Sequence, residues 1–170
     1  ARITTLSPVL GLDLSADGSI LAVLTAEGVN FYNADDLTPM STWVNTDSFT
    51  MNSVAINDDA SFALVAGCNN DVCDTGRIAL VDVASGSVAG IVSSHSESAT
   101  LVTYNNEDTR FASVAVDSDE IIERSAIIGE ETQRFYIELV DIASIAYTPD
   151  GTQLAVGTSD GRIQFFTLEQ

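Results

Sequence analysis

The sequence predicts an all-β chain made of four similar, four-stranded units. Of its 170 residues 45% are hydrophobic, and they occur in runs of about four to six between Gly, Asp, Asn, Ser and Thr, as in short strands joined by tight turns. Asp-Gly pairs separate apolar runs at Asp17-Gly18, Asp150-Gly151 and Asp160-Gly161. Such pairs favour hairpins because Gly adopts positive φ without a Cβ clash.

The spacing of the repeats predicts a β-propeller. The turn residues Asp17, Asp59, Asp108 and Asp150 follow one another at intervals of 42, 49 and 42 residues, close to the period of four-stranded propeller blades. We therefore predict one domain over residues 1–170. Its blades are expected at about 8–46, 47–94, 95–140 and 141–170, the last one together with 1–7.

The first two blades are predicted from their turns and from alternating apolar residues. In the first, an alternating strand leads through Asp17-Gly18 to a buried strand, and the expected strands are Val9–Leu14, Ile20–Leu24, Val29–Tyr32 and Ser41–Val44. The second is a weaker copy, recognised from VAINDDASFALVAG at 54–67. Its expected strands are Met51–Ile56, Phe62–Ala66, Ile78–Asp82 and Ser87–Ile91.

The last two blades depart further from the pattern. The third is recognised from YNNEDTRFASVAVD at 104–117, and its longer interval predicts an extended hairpin around Gly129. Its expected strands are Ala99–Tyr104, Phe111–Val116, Ile121–Ile127 and Phe135–Glu138. The fourth offers only three strands, Ile142–Tyr147, Gln153–Thr158 and Arg162–Leu168.

A three-stranded last blade would leave a long strand edge exposed, and proteins normally cover such edges. The N-terminal segment alternates and belongs to no other strand, so we expect the missing outer strand to come from Ile3, Thr4, Thr5 and Leu6. Three arrangements remain open. The four blades close a small ring alone, two chains join into an eight-bladed ring, or the chain is part of a larger propeller.

The local pattern resembles the repeats of WD-repeat propellers. TPDGTQLAVGTSDGRIQFF at 148–166 is similar to the family's repeat, and so is LSADGSILAVLTAEGVNFY at 14–32. GRIALVDVASGS at 76–87 resembles the end of the third strand, with Asp82 in place of the family's Trp-Asp aspartate. The good matches cover about half of the chain, and the resemblance implies a propeller that acts as a protein-binding platform without catalysis.

The sequence also departs from that family. It contains no Gly-His pair, and its one Trp, Trp43, is followed by Val44 rather than by Asp. We therefore expect that the family's buried His–Ser/Thr–Trp–Asp hydrogen-bond network is not carried over to any blade. The family's propellers also have mostly seven or eight blades, whereas this chain carries four repeats.

The charge balance is strongly acidic. Asp and Glu number 25, all six basic residues are Arg, and the formal net charge is −19. A field of this sign repels phosphate backbones and anionic headgroups, so nucleic acid and membrane surfaces are not expected as partners. The charge indicates a well-solvated surface or, alternatively, a salty medium that screens the repulsion. No run of about 18 apolar residues predicts a membrane span.

Cys68 and Cys73 lie close together in a polar stretch, CNNDVC, where a tight loop brings them within reach of a disulfide. Two free thiols or half of a metal site are the alternatives. Zinc is disfavoured because His95 is the only His and no other Cys exists. A bridge implies an oxidising compartment, so we expect an extracellular or cell-surface protein.

Candidate catalytic and metal residues are few. His95 lies in SSHSES, which is interpreted as an exposed loop, and no catalytic residue is expected. Asp58-Asp59 and Glu130-Glu131 are adjacent pairs on turns, so they do not predict converging carboxylates. No cofactor is expected, with calcium as the one candidate ion. Its candidate ligands, oxygen-bearing residues in the cysteine loop, are Asn69, Asn70, Asp71 and Asp74.

The leading hypothesis is a non-enzymatic protein-interaction module. Exposed aromatic and Arg side chains are the usual anchors of such surfaces, and the candidates are Trp43, Tyr104, Arg110, Arg124, Arg134 and Tyr136. The partner is expected to be a protein, including a second copy of the chain. One alternative is a self-assembling subunit, in which exchanged terminal strands form oligomers or filaments. Another is a propeller enzyme or calcium-dependent binder.

Overall fold

The computed structural model describes residues 2–46, 48–69, 72–137 and 140–169. These residues form fifteen β-strands in four antiparallel sheets. The predicted all-β class and the four-blade β-propeller are thereby confirmed. No helix in the described ranges is both long and apolar enough to cross a membrane.

The first two sheets have four strands each, paired in the order of the chain. The first contains β1 (Val9–Leu14), β2 (Ile20–Thr25), β3 (Gly28–Asn33) and β4 (Pro39–Val44). The second contains β5 (Thr50–Ile56), β6 (Phe62–Cys68), β7 (Gly76–Asp82) and β8 (Ser87–Ser93). All eight strands lie within about two residues of their predicted bounds, because alternation and turn residues agree here.

The third and fourth sheets follow the same meander. The third contains β9 (Ala99–Tyr104), β10 (Arg110–Ala115), β11 (Glu120–Ser125) and β12 (Glu131–Tyr136), and the fourth β13 (Ile142–Tyr147), β14 (Gln153–Thr158) and β15 (Ile163–Thr167). The prediction placed the ends of β11 and β12 too late. The backbone turns after Ser125, and Gly129 with φ of 71° brings β12 back at Glu131.

One side chain at the start of each inner hairpin explains why the repeats turn alike. Its oxygen accepts a hydrogen bond from the backbone N–H five residues later, at 2.8 to 3.1 Å. The four anchors are Ser15, Asn57, Asn105 and Thr148, and the residues with positive φ three positions later are Gly18, Ala60, Asp108 and Gly151. Asp108 therefore occupies the glycine position of its turn. The anchors are spaced 42, 48 and 43 residues apart, and they align the repeats better than the turn aspartates do.

Each sheet packs one face on the next sheet along the chain. We call the face toward the following sheet the forward face and the other the backward face. Ala22 and Leu24 on the forward face of the first sheet share a core cluster with Ala63 and Val65 on the backward face of the second. Between the second and third sheets, Leu64 and Ala66 share a core cluster with Phe111. Between the third and fourth sheets, Ala112 and Val114 share one with Leu154 and Val156.

The first and last blades are not packed against each other. Substantial contacts join the first sheet to the second, the second to the third and the third to the fourth, and none of this extent joins the fourth to the first. On the backward face of the first sheet Leu12 is 60% exposed, and on the forward face of the fourth Phe165 is 55% exposed. Within the described residues, two faces are therefore packed against no other sheet, one at each end of the series, and we call them the end faces.

The N-terminal segment does not complete the last blade. Residues 2–8 form no strand, and β15 is the last strand of a three-stranded sheet. Arg2, Ile3 and Thr5 line a shallow cavity beside Leu12 on the first sheet instead, while Thr4 and Leu6 line a second one beside Tyr32. The expected closure by Ile3–Leu6 is thus not met within the chain, because the segment lies on the sheet that directly follows it.

Candidate interaction surface

An apolar groove lies between the second and third blades. Its volume is about 200 Å³, and the buried side chains of Ile78 and Phe111 line it. Exposed side chains of Ile91, Ile127 and Ile128 line it too, and Ile127 and Ile128 are 83% and 66% exposed. We call these five residues the isoleucine groove. Exposed apolar side chains gathered around a depression are typical of surfaces that bind another molecule.

The loop between β11 and β12 holds the two most exposed residues of the groove, Ile127 and Ile128. The N–H of Ala126 donates to the carbonyl of Thr109 at 2.8 Å, and the N–H of Gly129 donates to the carbonyl of Ser125 at 2.9 Å. A Cβ at Gly129 would lie only 2.8 Å from Cγ2 of Val92, and the φ of 71° is left-handed. Glycine therefore lets the loop approach β8 closely, and the groove is formed before any partner binds.

Strand β8 contributes residues 89–92 to the same groove. It is the outermost strand of the second sheet, so its outer backbone edge pairs with no other described strand. Five of its seven residues are exposed. An edge of this kind offers backbone donors and acceptors beside the apolar side chains.

Three of the six predicted partner-binding residues take part in packing. Trp43 is buried, with its ring 6.1 Å from that of Phe49. Tyr104 is half-buried against the core between the second and third blades. Arg124 is buried and donates to the carbonyl of Ser94 at 2.9 Å. The expectation that Trp43 and Arg124 reach the surface is not met, because Trp43 packs in the core between the first two sheets and Arg124 is buried against Ser94.

The other three predicted residues lie on the third blade. Arg134 pairs with Glu120 and with Glu131, whose Oε2 is 2.5 Å from Nη2. Arg110 pairs with the buried carboxylate of Glu123. Tyr136 is 61% exposed and remains accessible as an anchor. A binding role for these residues stays a prediction.

A buried carboxylate organises the cleft between the third and fourth blades. Glu123 is fully buried and accepts hydrogen bonds from Arg110 Nη1 at 3.1 Å, Thr132 Oγ1 at 3.0 Å and Tyr147 Oη at 3.0 Å. Burial and the nearby carboxylate both raise the pKa of Tyr147, which keeps its hydroxyl a donor. Arg110 also donates to the carbonyl of Glu169 at 2.6 Å. The network ties strands of two blades together.

His95 is buried, and its interpretation as an exposed loop residue is wrong. Its Nε2 lies 3.0 Å from Ser113 Oγ, and its Nδ1 lies 3.5 Å from Glu120 Oε2. Burial, followed by the positive charges of Arg124 and Arg134, lowers the pKa of His95 to about 4, so the ring is neutral at pH 7. The contact between His95 and Ser113 is a partial counterpart, without Trp, of the His–Ser/Thr–Trp–Asp network of WD-repeat propellers. The sequence had led us to expect no part of this network in any blade.

A serine, a histidine and a carboxylate in this order resemble the groups of a nucleophilic triad. The burial of Ser113 opposes that use, because its side chain has no exposed surface. Its hydroxyl also lies 3.5 Å from the carbonyl of Ile122. A nucleophile must reach its substrate, so the cluster is better suited to holding the β8–β9 loop on the third blade.

The cysteine loop carries the predicted disulfide. Cys68 and Cys73 are bonded, with Cα atoms 5.0 Å apart, as the spacing predicted. Among the calcium candidates, Asn69 Oδ1 accepts a hydrogen bond from Arg77 Nη1 at 3.1 Å, and Asp74 lies in the same loop. Asn70 and Asp71 lie outside the described residues. Within the described ranges, no cluster of three His, Cys, Asp or Glu side chains could hold a metal ion.

Sequence reasoning missed the isoleucine groove. The sequence pattern predicts a strand that extends to Ile127, whereas Ile127 lies in the loop just beyond Ser125. The available signal was the pair Ile127-Ile128 directly before Gly129, since two large apolar residues in a tight turn have no core to enter. The contact of this loop with Val92 was not predictable from local patterns.

The comparisons agree with the fold. No family model matches the chain, and no curated protein matches it either. Among solved structures, the chain is similar to a chain in the crystal structure of the mitotic checkpoint complex, which contains a WD40 propeller. The TM-score is 0.77 at 24% identity, over 94% of this chain and 46% of that one.

At this identity the likeness shows the fold alone. Matching chains number 1300, and so widespread a fold does not point to one function. This chain spans about half the length of the chain from the checkpoint complex. Together with the four sheets described above, the likeness shows that the chain has a WD-like β-propeller fold.

Proposed function

We propose that this chain is a non-enzymatic protein-interaction module that binds a positively charged segment of another protein in the isoleucine groove. The observation that carries the proposal is the exposure of Ile127 and Ile128 on a loop fixed at both ends over a preformed depression. The similar chain comes from a complex of proteins, which supports a protein partner.

The charge of the chain sets the chemistry of that partner. With a net charge of −19, the chain attracts cationic segments and repels acidic ones. Glu130 lies directly after the groove loop and is exposed. The proposed ligand therefore has one or two large apolar side chains for the groove, flanked by Lys or Arg.

A peptide library displayed on phage tests this proposal. Selection on the intact chain is expected to enrich peptides with a large apolar residue next to Lys or Arg. Their affinity should fall at least about tenfold on Ile127→Asp, because a charge would enter the apolar groove. Affinity should also weaken at high salt, since the attraction is screened.

The control is Phe165→Asp, which places the same charge on an exposed apolar position of the fourth blade. This variant should bind the selected peptides as the parent does. Circular dichroism and the melting temperature verify that both variants fold. If no basic apolar peptide is enriched, or if the peptides bind Ile127→Asp as tightly as the parent, the proposal fails.

We also propose a secreted or cell-surface setting. The disulfide between Cys68 and Cys73 supports it, because such bonds persist in oxidising compartments. Alkylation of the natively expressed protein followed by mass spectrometry is expected to label neither cysteine until a reductant is added. Two labelled thiols without reductant would remove the support for this setting.

A further inference from the structure

We infer that the segment bound in the isoleucine groove is an extended strand that pairs with the outer edge of β8 and adds a fifth strand to the second sheet. This binding mode rests on the proposed function and deepens it, because it gives the conformation and register in which the basic apolar segment binds. Two observations carry it: the direction of the backbone groups of β8, and a buried hydroxyl without a partner beside the groove.

The backbone groups of β8 point alternately to β7 and to the outer edge. The N–H of Ser94, one residue beyond the strand, donates to the carbonyl of Gly76 at 2.9 Å. Alternate residues of an antiparallel pair exchange hydrogen bonds, so Val92 faces β7 as Ser94 does, whereas Ile91 and Ser93 face outward. Two N–H and two C=O groups are thus available on this edge, and no other described strand pairs with them.

Strand β8 lacks the residues that usually keep a strand edge from pairing. Charged side chains and Pro serve that purpose at exposed edges. The outer strands of the first and third sheets carry them, with Pro39 in β4 and with Glu131 and Arg134 in β12. Strand β8 contains neither Pro nor a charged residue. Its register with β7 is regular over residues 90–93, which is enough edge for a short added strand.

The forward face of the second sheet directs one side of the added strand into the groove. Val92 lies opposite Ile78, which belongs to the core between the second and third sheets, so both side chains are on the forward face. The groove loop packs on this face, since Val92 is the nearest neighbour of a Cβ at Gly129. Residues opposite each other on paired strands share a face. The apolar anchor of the ligand is therefore the residue opposite Val92, and it faces Ile127 and Ile128.

The next position on the forward face offers a hydrogen bond. Ser94 follows Val92 by two residues and is buried, and its Oγ has no hydrogen-bond partner among the described residues. It lines a second cavity, of about 350 Å³, together with His95 and Glu120. A buried hydroxyl without a partner costs free energy, so a hydrogen-bonding side chain two residues from the anchor stabilises the complex. The residue between the two points away from the groove, where Lys or Arg remains in solvent.

Selected peptides that carry a single backbone N-methyl group test this binding mode. In an antiparallel pair the two neighbours of the anchor donate to the carbonyls of Ile91 and Ser93, whereas the N–H of the anchor points to solvent. Methylation of either neighbour should therefore weaken binding about tenfold, and methylation of the anchor less than about twofold. A parallel strand would reverse the two effects and would support the same edge. Equal effects at all three positions would overturn the inference.

A substitution in the chain tests the same edge. Ser93→Pro removes an outward N–H that pairs with no described strand, so the fold should persist while peptide affinity falls about tenfold. The matched control is Val44→Pro in the first sheet. Asn45 donates to the carbonyl of Glu27, so the N–H of Val44 also points outward, far from the groove, and this variant should bind as the parent does. Equal affinities for the two variants would contradict strand addition.

Amide exchange in the unsubstituted chain covers the case in which Ser93→Pro does not fold. Added peptide should slow the exchange of the Ile91 and Ser93 amides, and unchanged exchange at both would overturn the inference. Strand addition can also fail while the proposed function holds. In that case the peptides lose affinity on Ile127→Asp but respond equally to all N-methyl groups. If no basic apolar peptide binds at all, both proposals fail.

Discussion

Glu123 is a charged side chain that the fold buries completely and supplies with three donors. Removing it leaves Arg110, Thr132 and Tyr147 without their common acceptor. We expect Glu123→Ala to lower the free energy of unfolding by about 3 kcal/mol. Urea denaturation measures this change, with Glu123→Gln as a control that keeps one acceptor oxygen. A loss below about 1 kcal/mol for the alanine variant would contradict the account.

His95 predicts a pH dependence of stability. Its pKa is lowered from 6.5 to about 4 in the folded chain, so between these values the unfolded chain binds a proton that the folded chain does not. Stability is therefore lost as the pH falls from about 6.5 to about 4. At about 1.4 kcal/mol per pH unit, the loss is about 3 kcal/mol.

The variant His95→Gln isolates this contribution. Gln keeps a polar partner for Ser113 but does not titrate, so the difference in unfolding free energy between parent and variant should shrink by about 3 kcal/mol from pH 7 to pH 4. Chemical denaturation at several pH values provides the measurement. The many carboxylates titrate equally in both proteins and cancel in the difference. A difference that stays constant with pH would mean that His95 is not held neutral.

At the scale of the elements, the β11–β12 loop depends on Gly129. An alanine there would combine a left-handed φ with a contact of 2.8 Å to Val92. We expect Gly129→Ala to cost about 2 kcal/mol of stability and to weaken peptide binding in the groove, because the loop must move away from β8.

The matched control for this substitution is Gly151→Ala. Gly151 has a similar φ of 66°, but a Cβ there would meet nothing within 4 Å. Its substitution should cost only about 1 kcal/mol, from backbone strain. Thermal unfolding of the two variants measures the difference. Equal costs would show that the contact with Val92 does not hold the loop.

The elements were largely predictable from sequence, and the groove was not. Turn anchors such as Ser15 and Thr148 act within five residues, so each hairpin is encoded locally. The isoleucine groove, in contrast, depends on Val92 and Gly129, which meet only after two sheets have packed. His95 was misjudged for the same reason, because polar neighbours predict exposure while its burial comes from β10 and β11.

At the scale of the whole molecule, the net charge governs what the isoleucine groove binds. Peptide binding in the isoleucine groove is expected to weaken with salt, because added ions screen the attraction between the net charge of −19 and a basic ligand. The N-terminal segment is placed beside the first end face, so its pairing with β15 of another chain stays a prediction.

The central claim is that the sheets pack face to face in the order of the chain, as propeller blades do. Nuclear Overhauser effects between side chains of successive sheets test it most directly. The account predicts contacts of Leu24 with Val54, of Leu64 with Phe111 and of Val114 with Val156. Their absence, with contacts between the first and third sheets instead, would indicate a sandwich and contradict the account.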